Sequence, residues 1–139
     1  MKSTSLTVFK YHALENDFLL VESKVDSLNK KQIGSLASRL CHRHKGIGAD
    51  GLLWMRASHR RDVHARLDIF NQDGSWAERS GNGQRIAGVH LARKRRSSQS
   101  EFVFESGAGL AHVLVMSNRN RVNATAFLPA PDFRPLSLP

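Results

Sequence analysis

Ser80-Gly81-Asn82-Gly83 stands between the alternating stretch Ala65–Asn71 and the apolar run Ile86–Ala92. Two glycines bracket an asparagine just ahead of a run of helical length. That arrangement aims unpaired backbone N–H groups, and the positive end of a helix dipole, at whatever lies in front. An anion fits there, most simply a ligand carboxylate. The same field lowers the pKa of an acidic side chain at position 80, where the residue is a serine. Gln84–Arg95 then reads as a helix whose start, at Ile86, Ala87, Val89, Leu91 and Ala92, is apolar almost all round. Such a helix is expected to be enclosed by other elements.

Outward from this helix the chain reads mostly as short strands. Ala65, Leu67 and Ile69 alternate with Arg66 and Asp68, and Gln72-Asp73-Gly74-Ser75 has turn chemistry. Three further strands, Glu101–Ser106, Leu110–Met116 and Arg121–Phe127, follow the helix, with turns at Gly107/Gly109 and Asn118–Asn120. On the amino-terminal side, a strand over Leu6–Tyr11 and a second over Phe18–Val21 make a hairpin, broken at Glu15-Asn16-Asp17. Ile33, Leu36, Ala37, Leu40, Cys41 and His44 recur at helical spacing, so a helix is expected over Lys30–His44, capped by Ser27 or Asn29. The fold class is α+β, a curved antiparallel sheet rolled around a central helix. Residues 1–128 form one domain, and Pro129–Pro139, with four prolines, is expected to be an extended linker.

A chain of 139 residues suits a single domain. Its one cysteine, Cys41, excludes an intrachain disulfide. No apolar stretch reaches the length of a membrane span and no signal-peptide pattern is present, so a cytoplasmic protein is expected. The net charge of +9, from 21 basic and 12 acidic residues, admits a polyanionic partner or an anionic substrate. Gly46-Ile47-Gly48-Ala49-Asp50-Gly51 matches the dinucleotide fingerprint formally, but it follows a helix and precedes the strand-like Leu52-Leu53-Trp54-Met55. The fingerprint needs the reverse order, so a tight glycine connection is expected instead. Cys41, His42 and His44 point apart on a helix, and no metal site is expected. Arg93-Lys94-Arg95-Arg96 complements a helix C-terminus; the alternative, a nucleic-acid patch with Arg60-Arg61 and Arg119/Arg121, lacks interleaved aromatic residues.

Several ordered motifs resemble those of the diaminopimelate epimerase family, amino-terminal half. They are Asn16-Asp17-Phe18, His44-Lys45-Gly46-Ile47-Gly48-Ala49-Asp50-Gly51-Leu52-Leu53, Ile69-Phe70-Asn71-Gln72-Asp73-Gly74-Ser75, Gly81-Asn82-Gly83-Gln84-Arg85, Arg121-Val122-Asn123 and Pro131-Asp132-Phe133. The resemblance implies one half of a pseudo-symmetric protein, each half a sheet rolled around a helix. It implies cofactor-independent inversion at an amino-acid α-carbon, interconverting LL- and meso-diaminopimelate in lysine and cell-wall biosynthesis. By the same resemblance Asn16 and Asn71 are substrate-binding side chains, Gly81 and Asn82 are backbone donors, and Ser80 occupies the position of the first of two catalytic cysteines.

The departures are equally specific. A serine hydroxyl is a far weaker acid than a thiol and needs a neighbouring base, and Cys41, on an apolar helix face, is no substitute. The family's Gly-Leu-Gly ahead of the Asn-Asp-Phe motif is Ala13-Leu14-Glu15 here. The second half, with the second cysteine, lies outside this chain. The chain alone is therefore expected to be inactive or impaired. A homodimer imitating the two halves is one way to complete a site; the alternative function is a non-catalytic binding module using the anion-binding loop or a basic surface.

Overall fold

A computed structural model describes residues 5–24 and 27–128. The linker expected over 129–139 lies outside the described residues. In chain order the elements are β1 (Phe9–Ala13), β2 (Asn16–Ser23), α1 (Lys30–Leu40), β3 (Gly51–Arg56), β4 (Ala65–Asn71), β5 (Trp76–Ala77), α2 (Gly81–Arg95), β6 (Gln99–Ser106), β7 (Gly109–Ser117) and β8 (Val122–Phe127). The strands form one sheet in the order β1-β2-β3-β4-β6-β7-β8, with the two-residue β5 pairing β4. The sheet curls around α2, so the α+β reading of a sheet rolled around a central helix describes the fold.

The expectation of an antiparallel sheet is corrected in two pairs. β2 and β3 run parallel, as do β4 and β6. Each of these pairs is joined through a helix, α1 in the first case and β5 with α2 in the second. Parallel neighbours need such a crossover, whereas tight turns leave the hairpins antiparallel.

Two apolar clusters lie on opposite faces of the sheet. On the inner face Leu20, Leu53, Leu67, Ile69, Phe102, Phe104, Val113 and Val115 pack with Ile86, Ala87 and Ala92 of α2. On the outer face Leu19, Val21, Leu52, Trp54 and Phe70 pack with Ile33, Ala37 and Cys41. Burial on both sides explains why Phe18–Val21 and Leu52–Met55 are continuous apolar runs rather than alternating ones. The sheet beyond α1 is covered on its inner face alone, and β7 accordingly alternates buried Ala111, Val113 and Val115 with exposed or half-buried residues.

α1 begins at a capping box. Asn29 Oδ1 accepts from the Gln32 amide at 2.9 Å, and Gln32 Oε1 accepts from the Asn29 amide at 2.9 Å. Asn29 thus takes the cap, not Ser27. The helix stops at Leu40, four residues short of the expected His44. The glycine segment folds back onto its end, with the Gly48 amide on Leu40 O and the Ala49 amide on Cys41 O. These bonds satisfy carbonyls that further helical turns would have used.

α2 is less apolar than its sequence suggests. Gln84 and His90 are both buried. His90 joins three elements: its Nδ1 meets the Tyr11 hydroxyl at 2.7 Å, and its Nε2 meets Glu22 Oε1 at 2.7 Å. Lys94 Nζ donates to both Glu22 oxygens at 2.9 Å. Burial on its own raises the Glu22 pKa, but Lys94 and His90 outweigh it and hold the carboxyl below its usual value. Among the described residues no helix is long and apolar enough to cross a membrane.

Candidate functional site

The residues singled out in the sequence lie towards one end of the curled sheet. Registration places Gly51 of β3 opposite Phe18 of β2 on one side and Asn71 of β4 on the other. Asn16 opens β2 and Asn71 closes β4. They lie on either side of β3, Asn71 level with Gly51 and Asn16 two residues before Phe18, the β2 residue level with Gly51. From Asn71 the chain turns through Gln72–Ser75 into β5, which pairs back on β4 at Ile69 and Phe70. Three residues later Ser80 caps α2.

Ser80 is the N-cap residue, with φ −150° and ψ 115°. Its Oγ accepts from the Gly83 amide at 3.1 Å, and its carbonyl accepts from the Gln84 amide at 2.9 Å. The serine thus takes one of the open amides for itself. Those of Gly81 and Asn82, the first two of the helix, take no partner among the described residues. The helix end sits against the inner face of the sheet, where a Cβ on Gly83 would come within 2.8 Å of a Leu53 methyl and 3.3 Å of Ser80 Oγ. Only glycine allows so close an approach. The Asn82 Oδ1 accepts from Arg85 at 2.9 Å, and the same guanidinium nitrogen lies 3.4 Å from where a Cβ on Gly81 would sit. Ser80 Oγ has no histidine or carboxylate within hydrogen-bonding reach among the described residues.

Asn16 belongs to a charged cluster that the sequence reading missed. Its Nδ2 donates to Asp50 Oδ2 at 2.7 Å. Asp17 and Asp50 also clasp each other: the Asp17 amide donates to Asp50 Oδ2 and the Asp50 amide to Asp17 Oδ1, both at 3.0 Å. Arg43 spans the pair, donating to Asp17 Oδ1 at 2.9 Å and Asp50 Oδ1 at 3.0 Å, with Lys10 Nζ 3.4 Å from Asp17. The signal lies in Gly46–Gly51, where Asp50 sits inside the glycine connection that enters β3. The segment leads from α1 into β3, the order that rules out a dinucleotide fingerprint.

The Arg43 guanidinium holds the Asp17 carboxyl well below the usual carboxylate range, against partial desolvation that acts to raise it. A depressed folded pKa adds stability above the unfolded value, about 3.9, and loses it as pH falls towards the folded value. Arg43→Ala is therefore expected to raise the Asp17 pKa and to flatten the dependence of stability on pH below about pH 4. Chemical denaturation at a series of acidic pH values, with carboxyl NMR titration of Asp17, checks both effects.

Asn71 lies at the turn on the other side of β3. Its Nδ2 donates to Ser75 Oγ at 2.9 Å, and its amide donates to Ser75 O at 2.8 Å. Ser75 Oγ in turn donates to Asp73 Oδ1 at 2.6 Å. The Ser75 hydroxyl and amide hold the Asp73 carboxyl below its usual value.

The hairpin ahead of Asn16 turns on Leu14 and Glu15, both left-handed, at φ 50° and 66°. Primed hairpin turns demand such values and favour glycine or asparagine, so this is a costly turn for two bulkier residues. Cys41 is fully buried on the outer face, where burial pushes its thiol up to about 11. Among the described residues no group of three histidine, cysteine or acidic side chains gathers in a metal-holding arrangement. At the basic end of α2 Lys94 pairs with Glu22, Arg93 lies over Tyr11 and Arg95 over Phe102, while all four basic residues of Arg93–Arg96 stay exposed.

The family model described as diaminopimelate epimerase matches residues 8–126. A diaminopimelate epimerase of Caldanaerobacter subterraneus subsp. tengcongensis is 37% identical over 131 residues, covering 94% of this chain and 46% of that protein. The chain thus spans less than half the length of the curated relatives it matches. Among solved structures, a hydroxyproline epimerase from Agrobacterium vitis aligns with a TM-score of 0.60 at 13% identity, over 82% of this chain and 38% of that one. A phenazine biosynthesis protein of the PhzF family from Bacillus anthracis aligns with a TM-score of 0.60 at 19% identity, over 81% and 36%. At such identities these two likenesses speak for the fold.

Proposed function

Since this chain belongs to the diaminopimelate epimerase family, we propose that it provides the amino-terminal, substrate-binding half of a cofactor-independent amino-acid epimerase acting on diaminopimelate. The observation that carries this reading is the α2 N-terminus, where the Gly81 and Asn82 amides stand open beside Ser80 at the same end of the sheet as Asn16 and Asn71. The amides and the helix dipole seat a carboxylate. They also stabilise the charge that spreads onto that carboxylate as the α-proton leaves.

Inversion needs one group to take the α-proton from one face of the carbon and another to return a proton to the opposite face. In this chain Ser80 stands where the first group belongs. Its Oγ–H is a weak acid and its oxygen accepts a single amide hydrogen bond, with no base to draw the proton off. The second group lies outside these residues. The chain alone therefore binds substrate without turning it over at a useful rate, the loss of a proton-transfer group being worth about 10²- to 10⁴-fold. Against the nucleic-acid reading, three of the four basic side chains at the helix end already have protein partners in Glu22, Tyr11 and Phe102.

Titration of the ¹⁵N-labelled chain with meso-diaminopimelate tests the binding claim. The Gly81 and Asn82 amide resonances are expected to move first and furthest. A saturating titration that leaves them in place refutes the carboxylate seat. In heavy water the chain alone is expected to leave the α-hydrogens unexchanged, and deuterium uptake at the rate of a whole epimerase refutes the claim of incompetence.

A further inference from the structure

The end of α2 remote from Ser80 gathers cations on a cleft of its own. Lys94 pairs with Glu22 and Arg95 lies over Phe102. Arg93 and Arg96 instead line a cleft of about 390 Å³, together with Arg119 from the β7–β8 turn. Among the described residues none of these three guanidinium groups pairs with a carboxylate. Arg93 has the Tyr11 ring centre 5.5 Å away, and a ring neighbour leaves the planar N–H fork free for an oxyanion. The cleft also has an apolar side, made by Val89, Ala92, Val115 and Val122.

The two walls are tied to each other. The Ser117 amide donates to Ser98 O at 2.7 Å and Ser117 Oγ to Ser97 O at 3.3 Å, which fastens the end of β7 to the link that leaves α2. Asn118 then closes the turn, its Oδ1 accepting from the Asn120 and Arg121 amides at 3.1 and 2.9 Å. That turn fixes where Arg119 leaves the chain. Arg96 ends the helix in the left-handed conformation, φ 52° and ψ 39°, which glycine adopts without cost and a larger residue does not. Three like charges around one cleft repel each other, and an anion among them removes that cost.

We propose that this cleft is a second ligand site, one that takes a phosphate monoester with an apolar body. A single carboxylate is satisfied by one bidentate arginine. A phosphate monoester brings three peripheral oxygens and up to two charges, enough for all three guanidinium groups. Ala92 and the three valines receive the apolar body. The 15 residues of α2 hold this cleft about 20 Å from Ser80, so ligands at the two ends of the helix do not meet.

Phenyl phosphate is the probe, with inorganic phosphate and benzyl alcohol each supplying one half of it. Titrated into the ¹⁵N-labelled chain, phenyl phosphate is expected to move the Arg96, Ser97, Ser98 and Arg119 amide resonances saturably. Inorganic phosphate is expected to bind there at least about fourfold more weakly, as burial of a single methylene would imply, and the alcohol to leave these resonances in place. Arg96→Gly removes one guanidinium at a backbone position that glycine favours, so the fold is kept. This variant is expected to bind phenyl phosphate at least about threefold more weakly, with a denaturation midpoint unchanged or raised. Arg119→Gln, in an exposed turn, makes the same test from the other wall. Saturating meso-diaminopimelate is expected to leave the phenyl phosphate affinity within about twofold.

Variants that bind phenyl phosphate as tightly as the wild-type chain overturn the proposal, as do shifts confined to Gly81 and Asn82 at the other end of α2. Inorganic phosphate bound as tightly as phenyl phosphate overturns the assignment of an apolar body. A short DNA duplex that moves the same amides and displaces phenyl phosphate at equal concentration makes the cleft part of a nucleic-acid surface, which also overturns it.

Discussion

Ser80→Cys is expected to create a thiol that titrates at or below about 7.5, against about 8.5 for a free cysteine. The Gly83 amide already points at the side-chain oxygen of residue 80, and the open amides of Gly81 and Asn82 add to the field. A thiolate is better served there than a hydroxyl, because it carries the charge that the helix end favours. The contrast with Cys41 is the sharpest available in one molecule. Buried, with its pKa pushed up to about 11, Cys41 holds about one part in ten thousand as thiolate at pH 7. Alkylation by iodoacetamide at pH 7, resolved by peptide mass mapping, is expected to label position 80 at least about a thousandfold faster than Cys41. A new thiol that titrates at 8.5 or above shows that this helix end exerts no useful field. In that case the anion seat loses its physical basis.

Leu53→Ala has the largest expected effect on the fold. Leu53 is fully buried in the inner cluster and packs against Gly83, where a Cβ would come within 2.8 Å of its methyl. Removing it is expected to cost about 2–5 kcal/mol, the range for large-to-small changes in cores that collapse incompletely. The cavity opens beneath the amides that seat the ligand, so binding is expected to weaken beyond what the lost folded population explains. Chemical denaturation gives the first quantity. Calorimetry with diaminopimelate at a temperature where the variant remains folded gives the second. Stability reduced with undiminished binding per folded molecule shows that the helix end is held by other contacts.

The fold was legible in the sequence wherever one physical signal acted alone. The helix through Ile86–Ala92 and the three strands after α2 follow from periodicity and turn residues, whereas the first hairpin turns on Leu14 and Glu15, and Asn16 and Asp17, read as part of the break, open β2. Strand direction was not legible, because period-two alternation is the same in parallel and antiparallel pairs, and only the crossover through each helix decides it. The length of α1 was overestimated because His44 fits the helical phase, while the competing bonds from Gly48 and Ala49 to its last carbonyls are tertiary. β5 is two residues long and carries no period at all. At the site, residue types and spacing singled out Asn16, Asn71, Ser80, Gly81 and Asn82. They said nothing of Asp50, Arg43 and Ser75, whose roles come from neighbours distant in sequence or from hydrogen bonds within a turn. Asp50 sits inside a glycine connection, where spacing signals a turn but carries no sign of a partner 33 residues away in sequence.

The buried chain from Tyr11 through His90 to Glu22 has a mechanical consequence. A cylinder packed only by methyl groups can roll a little in its trough at small cost, since dispersion has no preferred direction. Hydrogen bonds do have one, and His90 makes two, to strands on neighbouring tracks of the sheet. Ten residues of helix, about 15 Å, separate that clamp from Ser80. The compass bearing of the Gly81 and Asn82 amides is thus fixed from the far end of the rod, and the rod transmits to its tip any twist that the clamp allows.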